Sequence, residues 1–275
     1  MYFSIGGVLF AIIFHNILYY FAQAVGMDER KELAIESAEN DAGVAWAKER
    51  KHGKNTTVLS FRAEDTFGAK GAERSAGEYH TILIEGNILE ISALSEEVSS
   101  CVAALLAGKI GGRKRVLAVG LGNPAMVVDA LGSETVRALP VGDGLCVLIP
   151  SVYGVTGLES ATIVRAVAKE VRPDLVLAVD TLATRRAERL SKAVQISDVG
   201  IAPGGGVGNK RESLCFDTLG VPVVSVGVPL LAHAECLRGI PAGTVVTPKE
   251  IDLYVPAFSK AIGRGIERAL SEKRR

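Results

Sequence analysis

Three aspartates in this 275-residue chain each close an apolar run. Asp129 ends "RVLAVGLGNPAMVVD", Asp180 ends "DLVLAVD", and Asp198 ends "AVQISD". Asp198 also opens a glycine-rich stretch, "VGIAPGGGVGNKR". There Gly200, Gly204, Gly205, Gly206 and Gly208 can turn backbone N–H groups toward an oxyanion or a peptide carbonyl. Two carboxylates held close together cannot both ionise cheaply, so one keeps a proton while the other can take one from water. That is hydrolytic chemistry without imidazole. The histidines are His15, His52, His80 and His233, so none falls in the central stretch that carries the aspartates. There is no HExxH and no GxSxG, which disfavours zincin-type and nucleophile-elbow hydrolases.

The first of these segments admits two other readings. Gly120-x-Gly122-x-x-Ala125 after an apolar run fits a relaxed dinucleotide fingerprint, with Asp143 as the later acid. Pro124 opposes it, because the residue before a proline is biased away from the helix that would receive the phosphate. "GLGNP" is also similar to the opening of bacterial peptidyl-tRNA hydrolases, but the histidine base of those enzymes has no counterpart here. The second glycine-rich stretch is not a P-loop, because Asn209 stands where a glycine must precede Lys210.

The elements that must position the aspartates follow from the patterning. Past Gly112, short Val/Leu runs alternate with helical stretches: "RVLAVG" with "DALGSETVRAL", "GLCVLIP" with "LESATIVRAVAKEV", "DLVLAVD" with "TLATRRAERLSKA", and "VPVVSVGVP" with a further helix. Near-continuous apolar strands of this kind are buried on both faces. The expectation is a three-layer α/β fold, a sheet covered by helices, with its site at strand ends. Asp180 in this reading sits at a strand end, where it either orients the other acids or caps the "TLATRR" helix. Before Gly112, residues 28–53 read as charged and helix-forming, followed by a polar connection to about residue 80. "HTILIEGNILEIS" reads as a hairpin turning at Gly86-Asn87, and a helix is expected from about Ser95 to Leu106. A last helix spans about Pro248 to Arg275.

Composition narrows the function classes. Lys plus Arg equals Asp plus Glu at 31 each, so nothing favours direct nucleic-acid binding. The cysteines Cys101, Cys146, Cys215 and Cys236 are dispersed with no CxxC, which argues against a zinc ribbon or a thioredoxin-type site and fits a reducing compartment. Residues 1–26 are apolar over about the length a membrane helix needs, roughly 20 residues. They lack the basic n-region and cleavage site of a secretory signal. Two expectations follow: a single membrane anchor, or a translated upstream region with the true start at Met27. Residues 27–275 then form one α/β domain.

The segments "GLGN…DALG", "PDLVLAVDTLATR", "QISDVGIAPGGGVGNKR" and "TLGVPVVSVGVP", in that order and at that spacing, resemble the germination proteases of spore-forming bacteria. "ELAIESAE" is similar to the segment near that family's N-terminus, and the resemblance spans roughly residues 29 to 240. It implies an endopeptidase that removes its own propeptide, assembles as a homotetramer and degrades small acid-soluble spore proteins in the spore core. It places the essential aspartates at Asp129 and Asp198. Asp180, Asn123, Gly204, Gly205, Gly206 and Asn209 are expected to support them, and Lys210 and Arg211 to receive an acidic substrate side chain. "RKEL" stands where the family usually has Arg-Thr-Asp-Leu, which bears on the processing point. The family is similar in fold to the hydrogenase-maturation peptidases and the phosphorylase/hydrolase-like proteins. No metal and no other cofactor is expected, since the metal-binding histidine of the maturation peptidases is missing. Two alternatives stay open: a metal-dependent maturation-type endopeptidase, and a non-catalytic, membrane-tethered sporulation factor held through residues 1–26.

Overall fold

A computed structural model describes residues 33–39, 49–67, 74–142, 144–202, 212–233 and 245–272. In chain order these form helix α1 (Ala34–Glu39) and strands β1 (Glu49–Lys51), β2 (Thr56–Ala63) and β3 (Gly77–Ile84). Then come α2 (Leu94–Ile110), β4 (Val116–Gly120), a 3-10 turn (Val127–Asp129), α3 (Leu131–Arg137) and β5 (Leu145–Leu148). They are followed by α4 (Tyr153–Thr156), α5 (Ser160–Val171), β6 (Leu175–Thr184), a second 3-10 turn (Ala187–Arg189) and β7 (Ala193–Ser197). The chain continues through α6 (Phe216–Leu219), β8 (Val223–His233), β9 (Val245–Val246) and α7 (Ile251–Glu272).

The strands make one sheet in the order β1-β2-β3-β7-β8-β6-β4-β5, with β9 on the end of β8. β5, β4, β6 and β8 run parallel, and β7, β3, β2 and β1 continue the sheet with antiparallel pairing. β6 is buried at every position, which explains why "LVLAVDTLAT" shows no polar alternation. On one face its odd-numbered residues Leu175, Leu177 and Val179 join a core with α2, α3 and α7, including Leu106, Leu131 and Phe258. On the other face, Val176 and Ala178 pack with Ala161, Val164 and Ala168 of the amphipathic α5. Leu182 packs there with Leu33, Ala34 and Ile35, close to Phe61 and Tyr79. The α/β sheet between helical layers is therefore observed.

Four local expectations are corrected. Residues 56–63 are strand β2 rather than polar connection, because "TTVLSFRA" pairs residue by residue with β3. Asn87 does not turn a hairpin: its side chain accepts from Leu89 N–H and donates to Glu90, folding residues 88–93 into turns that lead to α2. "TLATRR" is not a helix, because β6 runs on to Thr184 alongside β8. Asp180 consequently lies inside β6 rather than at its end. The helix expected after β8 falls on residues outside those described, as do residues 1–26. Among the described residues, no helix is long and apolar enough to cross a membrane.

Candidate active site

Asp129 is carried by the 3-10 turn that follows β4. Asn123 N–H donates to Asp129 Oδ2 at 2.7 Å, and Asn123 Oδ1 accepts from Ala125 N–H at 3.0 Å. The main chain of Asn123 thus holds the carboxylate, while its side chain shapes the loop. Gly122 has φ +92°, and a Cβ there would lie 2.0 Å from Asp129 O and 2.8 Å from Oδ1. Only glycine fits a backbone so close in that conformation. The "GLGN" run is therefore the seat of an aspartate rather than a phosphate cradle. Gly132 brings α3 equally close, since a Cβ on it would meet Val179 O at 2.3 Å and Leu121 O at 2.5 Å.

Asp180 is fully buried one strand away. Gly120 pairs with Val179, so Asp180 lies at the level of Leu121, just before the Asn123 amide that holds Asp129. Leu121 N–H donates to Val179 O at 2.9 Å, but Thr181 N–H, the next donor along β6, goes to Asp180 Oδ1 at 2.9 Å. Asp180 is in register with Gly227 of β8, which is in register with Gln195 of β7. Beside that line lies a cavity of about 150 Å³ whose lining includes Gln195, Ser197, Ser225, Gly227, Tyr79 and Arg74. Small residues on the middle strands leave it open where a core sheet would hold large side chains. Burial pushes the Tyr79 phenol up.

Asp198 stands elsewhere. Ser197 pairs with Ser225, which pairs with Ala178, which pairs with Val119, so Asp198 lies toward the amino-terminal ends of the parallel strands. Three strand spacings, about 14 Å, separate β7 from β4. Its carboxylate accepts from Glu78 N–H at 2.8 Å and from Lys109 of α2 at 2.9 Å, and Lys109 also bonds Glu78 at 3.1 Å. Burial alone would raise Asp198, but the hydrogen bonds from Lys109 and Glu78 N–H and the lysine charge outweigh it and hold the carboxyl below its usual range. Burial, reinforced by Lys109, lowers the neighbouring His80. This ionic group borders an open groove of about 640 Å³ lined also by Arg113.

The structure thus puts Asp180 at the level of the loop that holds Asp129, one strand over, and leaves Asp198 in an ion cluster toward the amino-terminal ends of the parallel strands. A proton shared between Asp129 and Asp198 requires carboxylates in contact, and this arrangement does not provide it. Asn123 is at the site through its main chain. Gly204, Gly205, Gly206, Asn209, Lys210 and Arg211 lie outside the described residues. Sequence reasoning passed over Thr181, Lys109, Glu78 and Gly227. Only Thr181 carried a signal, as a hydroxyl directly after an acid in a strand otherwise nearly all apolar. Among the described residues no group of three or more His, Cys, Asp or Glu side chains is arranged to hold a metal ion.

The sheet between helical layers, with Asp129 held in the loop beyond β4 and Asp180 buried at the same level of β6, defines an α/β protein of the three-layer class. The germination protease family model matches residues 21–239, and the chain belongs to that family. It is 32% identical to the germination protease of Caldanaerobacter subterraneus subsp. tengcongensis, covering 88% of this chain and 94% of that protein. It is 31% identical to that of Clostridium perfringens strain SM101, with 88% and 94% covered, and 35% identical to that of Halalkalibacterium halodurans, with 85% and 69% covered. Among solved structures, a [NiFe] hydrogenase maturation protease, HycI, from Thermococcus kodakarensis KOD1 superposes with a TM-score of 0.39 at 17% identity, over 61% of this chain and 99% of that one. The protein is therefore a peptide-bond hydrolase of the germination protease family, an endopeptidase.

Proposed function

We propose that this endopeptidase degrades small acid-soluble spore proteins during germination, using water activated by Asp129 and Asp180. The observation that carries the residue assignment is that Asp180 of β6 lies at the level of Leu121, one strand from the Asn123 amide that holds Asp129, while Asp198 is turned to Lys109. The ionised member of the pair takes a proton from water as the water oxygen attacks the scissile carbonyl. The protonated member donates to the developing oxyanion. Collapse of the tetrahedral intermediate breaks the C–N bond, and a carboxyl proton passes to the departing amine. A coupled pair titrates as a unit, so the two roles belong to the dyad. Asp198 in this reading ties the end of β7 to β3 and α2 through Glu78 and Lys109. Lys210 and Arg211 receive an acidic side chain of the substrate.

The spore substrates, self-processing from a zymogen, the homotetramer and the spore-core location rest on membership of the family and on the resemblance of the motifs. The test is cleavage of a small acid-soluble spore protein by the chain beginning at Met27, alongside Asp129→Asn, Asp180→Asn and Asp198→Asn, with and without chelator. Both Asp129→Asn and Asp180→Asn are expected to abolish cleavage, with the wild type indifferent to chelator. Full activity in Asp180→Asn would remove the dyad, and a requirement for added metal would replace it with metal-assisted hydrolysis. Light scattering of the same sample reads the tetramer.

A further inference from the structure

We propose that Thr181 is a positioning residue that fixes Asp129 relative to Asp180, an inference that rests on the assignment of those two aspartates to catalysis. Thr181 is buried to 1% exposure and sits between Asp180 and Leu182 in a strand otherwise made mainly of apolar residues. Successive strand residues leave opposite faces of a sheet, so Thr181 and Asp180 point to different sides of β6. The backbone of Thr181 nevertheless serves Asp180: its N–H donates to Asp180 Oδ1 at 2.9 Å. Its side chain serves the other aspartate, because the hydroxyl donates to Val128 O at 3.0 Å.

Val128 is the residue before Asp129, in the 3-10 turn that carries it. Within that turn Met126 O accepts from Asp129 N–H and Val127 O from Ala130 N–H. Val128 O is held by the Thr181 hydroxyl, reaching across from the next strand. Glycine contacts at Gly122 and Gly132 seat the turn against β4 and β6, but steric contact limits only approach. The hydroxyl bond sets direction and couples the turn to the strand that holds Asp180. One residue therefore bonds the Asp180 carboxylate through its N–H and the turn that carries Asp129 through its hydroxyl, and that hydroxyl is the part that a substitution can remove without touching either carboxylate.

The experiment uses the chain beginning at Met27 and a small acid-soluble spore protein as substrate, comparing Thr181→Val, Thr181→Ser, Asp129→Asn and Asp180→Asn. Valine keeps the shape and removes the donor; serine keeps the donor and removes a methyl group. Thr181→Val is expected to lower kcat by about ten- to a hundredfold, the scale of a misplaced catalytic group, with KM little changed. Thr181→Ser is expected to restore most of kcat, although its cavity lowers Tm. Wild-type kcat in Thr181→Val beside inactive Asp129→Asn and Asp180→Asn would overturn the positioning role and leave the dyad standing. Equal losses of kcat in the valine and serine variants, tracking their Tm, would assign Thr181 to the fold alone and also overturn it. Activity in Asp129→Asn or Asp180→Asn would remove the dyad itself and the inference with it.

Discussion

Gly132→Ala tests how the site is seated. A Cβ at residue 132 would stand 2.3 Å from Val179 O, 2.5 Å from Leu121 O and 2.6 Å from Leu121 N. All three are backbone atoms, of β6 and of the residue that follows β4, so no side chain can swing aside. The shortest contact is about 1 Å inside the 3.4 Å at which ordinary contact begins, so α3 must lift from the sheet by about that distance. Alanine in place of glycine inside a helix is worth roughly 1 kcal/mol of stability, against an overpacking loss of about 1–3 kcal/mol or more. The loss wins here because the clash is with backbone on two sides, giving a net destabilisation of about 2 kcal/mol and a drop in Tm of roughly 4–8 °C for a chain of this size. α3 begins two residues after Asp129, so the displacement reaches the carboxylate, and a 1 Å error can lower kcat by about a hundredfold. Thermal unfolding and initial cleavage rates read the two effects. Gly263→Ala in α7 is the control, since its Cβ would meet only Thr135 O at 3.8 Å and should leave Tm unchanged or raised. Equal Tm and kcat in Gly132→Ala and wild type would refute the claim that close helix–sheet approach seats Asp129.

Other consequences follow from the charged groups. The folded-state pKa of Asp198 is depressed, so its contribution to stability is present above the unfolded value of 3.8 and lost as pH falls through the lower folded value. Wild type should therefore lose stability more steeply than Asp198→Asn as pH drops below about 4 in acid-denaturation curves; parallel curves would count against the Lys109 ion pair. Glu36 of α1 is buried and accepts from Thr184 Oγ1 at 2.5 Å and Arg185 N–H at 2.7 Å, with Arg189 at 3.5 Å. Glu36→Gln should cost about 2 kcal/mol by urea titration, the scale of hydrogen bonds to a charged group. Changing Lys210 and Arg211 together to Ala should raise KM for cleavage next to acidic residues, and unchanged kinetics on such a substrate would remove them from recognition.

The patterning of the chain by itself determined the α/β class, the strands β4, β5, β6 and β8, and the helices α2, α3, α5 and α7. Apolar runs of four to ten residues and helical spacing of small apolar residues are local signals, and burial on both faces leaves them unmistakable. It also singled out the three aspartates and the glycines around Asp129, because an acid after an apolar run and a "GLGN" turn are short-range features. Which aspartates share a level of the sheet was decided by strand order. β7 enters the sheet antiparallel, which sends Asp198 to the end away from Asp129, and no local pattern records the direction in which a strand is inserted. Asp180 read as a strand end because "TLATRR" has fair helix propensity. Pairing with β8 overrode that propensity and drew β6 on to Thr184, which put Thr181 beside Val128. Contacts between residues 53 and 89 positions apart, such as Thr181 with Val128 or Lys109 with Asp198, are made by the packed sheet and exist only once it has formed.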